Sequence, residues 1–161
     1  MIFLSPARVQ KTKIYIMNYM LSVFFLFFST IVHAQLYKDS TAIAKLIIDD
    51  YTTLQNWDIQ KHKQNCTVDY TLIENGEIQS FADESEYFRK NAHRKIERKD
   101  SFKFKHIRVA KTFGYAVYTL QSNIIEQGNV KVFNWSESVI CRKVKGEWKI
   151  ALLHSTLVKS Q

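Results

Sequence analysis

Four side chains are of a type and placement that could do chemistry: His154, Tyr118, Asp69 and Glu137. His154 lies in the closing stretch Glu147-Trp-Lys-Ile-Ala-Leu-Leu-His-Ser-Thr156, where regular alternation puts it on one strand face with Trp148, Ile150 and Leu152. An imidazole titrates near neutral pH, so one held against an apolar surface is a candidate general base. Glu137, on the preceding strand with Trp135 and Val139, is the carboxylate that would orient it, and Tyr118 is the candidate hydroxyl donor. Asp69, at the entry of the first strand, is a further candidate acid, although an aspartate there also serves as a local hydrogen-bonding residue. A core histidine bonded to a backbone carbonyl would give the same pattern as a base. Ser155 is the next residue after His154 and points to the opposite strand face, which makes a serine–histidine dyad geometrically poor. Trp57, Tyr70, Trp135, Ile150 and Leu152 are the expected pocket wall or core around this group.

Other chemistries find little support. His62, His93, His106 and His154 are scattered, with no ligand pair among them, so no metal is expected. Four glycines leave little room for a phosphate-cradling loop, no nucleophile elbow is present, and no cofactor is expected. Cys66 and Cys141 permit one disulfide, but a single pair is not a disulfide framework, and two free buried thiols are the simpler reading.

The elements that must position these groups are legible from period and punctuation. Asp39-Ser-Thr opens a helix carrying Ile43, Leu46, Ile47, Tyr51 and Leu54 on one stripe, and Asp58 caps a short second helix from Ile59 to Gln64. Thr67 to Glu74 alternates as a strand, Asn75-Gly76 turns it, and Glu77 to Phe81 pairs back. An acidic start and a basic finish mark a third helix from about Asp83 to Ile96. Strands then follow over 102–110, 115–126, 130–144 and 147–158, the last two joined at Lys145-Gly146. Three helices and about six strands imply an α+β fold in which a curved antiparallel sheet packs on the helices.

Arg8, Lys11 and Lys13 precede an apolar run from Tyr19 to Val32, and His33-Ala34 ends it with a small residue. That is the order of a cleavable export signal, and the run is too short to favour a membrane anchor. Residues 1–34 are therefore expected to be removed after Ala34, whether Met1 or Met17 is the start. Residues 35–161 would then form one domain, secreted or periplasmic, with no stable membrane anchor. The leader holds three of the 23 Lys and Arg and none of the 15 Asp and Glu, so the remainder keeps an excess of five positive charges. Much of it lies between Arg89 and Lys99, which reads as a solvated face and loop, and no nucleic-acid partner is expected.

Taken in order, Asp69-Tyr-Thr-Leu-Ile-Glu-Asn-Gly76 after two helices, Gly114-Tyr-Ala-Val-Tyr118 opening a strand, and Gly146-Glu-Trp-Lys-Ile150 before His154-Ser155 resemble the nuclear transport factor 2-like superfamily. Within it the likeness is to the SnoaL-like and ketosteroid-isomerase-like small domains, over residues 39–158. The closing Trp148, Ile150 and His154 also look like the association domain of calcium/calmodulin-dependent kinase, with Leu152 standing where that domain has another histidine. The resemblance implies a cone-shaped fold with a pocket at its wide end. In members that isomerise, it implies a carboxylate base with a tyrosine and a protonated acid at the oxyanion. A small apolar or amphipathic ligand is the expected partner, with no reaction assignable. The alternatives are an isomerase, cyclase or hydrolase using His154 with Tyr118, Asp69 or Glu137, and a non-catalytic structural module. Apolar residues on both strand faces, Tyr115 with Val117 and Ala116 with Tyr118, further predict a homodimer through the outer face of the sheet.

Overall fold

A computed structural model of the chain describes residues 37–158; the expected leader falls outside these residues. Helix α1 covers residues 37–56 and buries Ile43, Ile47 and Tyr51, the stripe that its three- and four-residue spacing dictates. Helix α2, Ile59–Asn65, starts where the Asp58 side chain accepts from the Lys61 amide at 2.9 Å. Helix α3, Phe81–Asn91, opens on a capping box: Ser80 receives the Asp83 amide while Asp83 accepts from the Ser80 amide. It ends five residues before the expected Ile96. Among the described residues, no helix is long and apolar enough to cross a membrane.

The strands are β1 (Cys66–Glu74), β2 (Glu77–Ser80), β3 (Glu97–Ala110), β4 (Phe113–Glu126), β5 (Asn129–Val144) and β6 (Glu147–Val158). They form one open sheet in the order β2-β1-β6-β5-β4-β3. All neighbours are antiparallel except β1 and β6, so the sheet is mixed and not purely antiparallel as expected. The β1–β2 hairpin and α3 intervene between β1 and the β3–β6 meander, and a long connection of that kind is what a parallel pair requires. At the first hairpin Asn75 and Gly76 take φ of 52° and 93°, and at the last Lys145 and Gly146 take 51° and 89°, as tight two-residue turns demand.

The core lies between α1 and the inner sheet face, where Leu72, Ala116, Tyr118, Leu120, Val139, Cys141 and Ile150 pack against Ile43 and Ile47. Gly114 admits the helix to the sheet: a Cβ there would stand 2.6 Å from the Ile43 Cδ1. Cys66 and Cys141 both stand in register with Ile150, one on each side of β6. Two strand spacings, roughly 9.5 Å, separate their backbones, beyond the reach of about 7 Å for a disulfide. Both are free thiols, pushed up by burial to about 11 and about 12.

One irregularity governs the site. Cys141 pairs with Ile150 but Ile140 pairs with Leu152, so β6 carries one extra residue, Ala151, against β5. Such a bulge reverses the facing of every residue beyond it. Trp148 and Ile150 point inward before it; Leu153 and Ser155 do so after it.

Candidate functional site

The helices and the inner sheet face enclose a cavity of about 320 Å³, at the lower end of the size range of ligand sites. Its apolar wall includes Leu54, Ile124, Phe133, Trp135 and Leu153, and its polar base gathers Asp50, His62, Glu84, Tyr51, Glu137 and Ser155.

Glu137 is only 3% exposed. The Tyr51 hydroxyl donates to its carboxylate at 2.6 Å, and the Ser155 hydroxyl donates to Oε1 at 2.7 Å from the adjacent strand position. Burial pushes its carboxyl up from the usual range, while the Tyr51 and Ser155 hydroxyls and the nearby Arg98 pull it back. Tyr118 stands directly across β4–β5 from Glu137, fully buried, its hydroxyl without a hydrogen-bond partner among the described residues. A carboxyl so placed keeps its proton to higher pH than an exposed glutamate does, with hydroxyls fixed beside it to support either form.

A second cluster closes the helical side. His62 Nδ1 lies 3.0 Å from Asp50 Oδ1, and its Nε2 lies 3.0 Å from Glu84 Oε2. Asn65 donates to Asp50 at 2.8 Å. The imidazole also packs between the Phe81 and Phe88 rings, with Tyr70 against its edge. Burial works against its charge, but hydrogen bonds to Asp50, Cys66 and Glu84 outweigh that and hold it up at about 12. It is an imidazolium clamped by two carboxylates, joining α1, α2 and α3.

Asp50, His62 and Cys66 each bring one metal-ligating atom within 4.8 Å of the others, a grouping that the view of scattered histidines did not contain. The thiol is 3.9 and 3.7 Å from the two ring nitrogens, so it lies along the lone pair of neither. With both nitrogens already facing carboxylates, the arrangement is that of an ion cluster, and a metal would require the ring to turn.

The structure therefore divides the residues singled out from sequence. Glu137 and Trp135 line the cavity, and Tyr118 supports its base from the core. Tyr70 and Ile150 are buried beside it in the core. His154 does not face the cavity: beyond the Ala151 bulge it is exposed on the outer sheet face, across from Ser138, and Leu152 shares that face across from Ile140. Ser155 takes the inward place that His154 was expected to hold. Asp69 is exposed and paired with Arg142. Trp57 lies between α1 and α2 at a shallow groove with Phe81 and Phe88, donating from its indole to the Arg94 carbonyl at 2.9 Å.

Asp50, Tyr51, His62 and Glu84 were missed. Asp50 falls three residues after Ile47 on the apolar stripe of α1, and His62 is four residues before Cys66. A carboxylate on a buried stripe was the available signal that a cationic partner waits nearby.

No family model matches the chain, and no curated protein matches it. Among solved structures it is similar to a ketosteroid isomerase-like protein from Erwinia carotovora atroseptica, at 15% identity over 76% of this chain and 98% of that one, with a TM-score of 0.62. The association domain of CaMKII from C. elegans gives 12% identity, 75% and 97% coverage and a TM-score of 0.61. An NTF2-like protein of unknown function in nutrient uptake from Rhodospirillum rubrum gives 16%, 73% and 98%, and 0.60. The chain has the nuclear transport factor 2-like fold.

Proposed function

We propose that this chain is exported, with cleavage after Ala34, and that its domain binds a small amphipathic molecule in the cavity between helices and sheet. The observation that carries the ligand reading is the cavity itself: an apolar wall of Leu54, Ile124, Phe133, Trp135 and Leu153 over a base of fixed polar groups. Indole, a neutral flat probe, tests it. It should perturb the amide resonances of Leu54, Trp135 and Leu153, and Leu153→Trp, which fills the space, should abolish the effect. Perturbations scattered over the surface, or none, would favour the non-catalytic structural module instead.

A second reading is favoured by Glu137, whose buried carboxyl with two donated hydroxyls suits proton transfer in an isomerase, cyclase or hydrolase. In that case Glu137→Gln would stop turnover while indole still binds. Pairing of two copies through the outer sheet face is also proposed. Support comes from the exposed Phe113, Tyr115, Val132, Val144 and Val158 on the strands, and a sedimentation mass of one chain at micromolar concentration would exclude it.

A further inference from the structure

The charges around the cavity do not balance. Asp50, Glu74, Glu84 and Glu137 face it, against His62 and Arg98. His62 is committed to Asp50 and Glu84. Arg98 is committed as well: its Nε donates to Asp100 at 2.7 Å, its Nη2 to Ser122 at 2.9 Å, and its guanidinium lies over the Tyr51 ring. Neither cation is left over for a negatively charged ligand, and the clamp with two carboxylates on one imidazolium is itself net negative.

Glu74 is the group left unanswered. It is half-buried on β1, lines the cavity, and makes no side-chain hydrogen bond or ion pair among the described residues. In register it stands across from Ser155, which stands across from Glu137, so two carboxylates occupy one row of the sheet with a hydroxyl between them. Burial, and then the proximity of Glu137, Glu84 and Glu77, push the Glu74 carboxyl up, and the charge of Arg98 offsets only part of this. A neutral ligand would cover this carboxylate without a partner, and an anion would add to the repulsion; a cation answers both costs. Phe133 and Trp135, stacked with ring centroids 6.4 Å apart, offer an aromatic wall for the apolar body of such a ligand.

We propose that the ligand is an amphipathic organic cation, its ammonium or amidinium group seated at Glu74 and its apolar body against Phe133, Trp135 and Ile124. This rests on the small-molecule reading and narrows it to a ligand class.

Three indoles of nearly equal shape separate the two ideas: tryptamine (cation), tryptophol (neutral) and indole-3-acetate (anion), titrated calorimetrically at pH 7 into the full chain. Tryptamine should bind about tenfold more tightly than tryptophol, as expected for a hydrogen bond to a charged partner, and indole-3-acetate should bind most weakly. Glu74→Gln should bring tryptamine down to the tryptophol level and leave tryptophol unchanged. Glu77→Gln, an exposed neighbour across the β1–β2 pair, should preserve the preference. Tryptophol or indole-3-acetate binding as tightly as tryptamine overturns the cation inference and leaves the ligand reading standing. So does a tryptamine preference that survives Glu74→Gln or is lost in Glu77→Gln. Absence of binding by all three overturns the ligand reading, and the cation inference with it.

Discussion

Replacing His62 with glutamine would remove the cation held between Asp50 and Glu84 while keeping a side chain of similar length. The imidazole is 4% exposed and its two carboxylate partners 10% and 11%, so the charges left behind would be poorly hydrated. Breaking a buried ion pair by deleting one partner costs about 3–5 kcal/mol, because the charges left behind have no compensation. At roughly 4 °C per kcal/mol for a domain of this size, the melting temperature should fall on the order of 15 °C. The pH dependence identifies the cause. The folded His62 is held at about 12 against an ordinary 6.5, so its stabilisation is complete below 6.5 and is lost as pH rises toward 12. Within that window the native state holds one proton more than the unfolded chain, and this group's contribution falls by about 1.4 kcal/mol per pH unit. Urea denaturation of both proteins between pH 6 and 9 would read this: the gap between wild type and His62→Gln should narrow steadily as pH rises. A variant within 1 kcal/mol of wild type at pH 6, or a gap that does not change with pH, refutes the imidazolium clamp.

Tyr51→Phe removes the hydroxyl that donates to both Glu137 oxygens, so the Glu137 carboxyl should titrate at higher pH than in wild type, followed by carbon-13 chemical shift; an unchanged or lower midpoint contradicts the network. His154→Ala should alter stability by no more than about 0.5 kcal/mol and leave indole binding as it is, since the side chain is exposed on the outer face; lost binding would place that residue in the site after all. Alkylation of unreduced protein after denaturation should label both Cys66 and Cys141, and a mass lower by the two hydrogens of a disulfide would contradict the strand register.

The fold was legible where local chemistry and global position agreed. Asp58 caps the helix it was placed to cap, and Asn75-Gly76 and Lys145-Gly146 turn the hairpins. It was less legible at Glu97-Arg-Lys-Asp-Ser101, a charged run that reads as helix end and loop yet forms the start of β3. β3 is the edge of the sheet, and an edge strand tolerates, and is protected by, charged side chains that an inner strand would not. The parallel pairing of β1 with β6 was invisible for a different reason: pairing partners distant in sequence leave no mark on the period of either strand.

The site depended on a feature smaller still. Counting by twos from Trp148 and Ile150 leads to Leu152 and His154, and would have set an imidazole beside Glu137. The single unpaired Ala151 carries the inward phase to Leu153 and Ser155 instead. Nothing in Ile-Ala-Leu-Leu announces this, because apolar residues at 150 through 153 satisfy either phase of the alternation equally well. The consequence is chemical as well as geometric. A histidine beside Glu137 would have brought a positive charge into the base of the cavity, whereas Ser155 brings only a hydroxyl that Glu137 accepts. The row Glu74, Ser155, Glu137 and Tyr118 thus crosses four strands without a cation. The bulge that moves His154 to the surface is therefore what leaves this row of the cavity acidic.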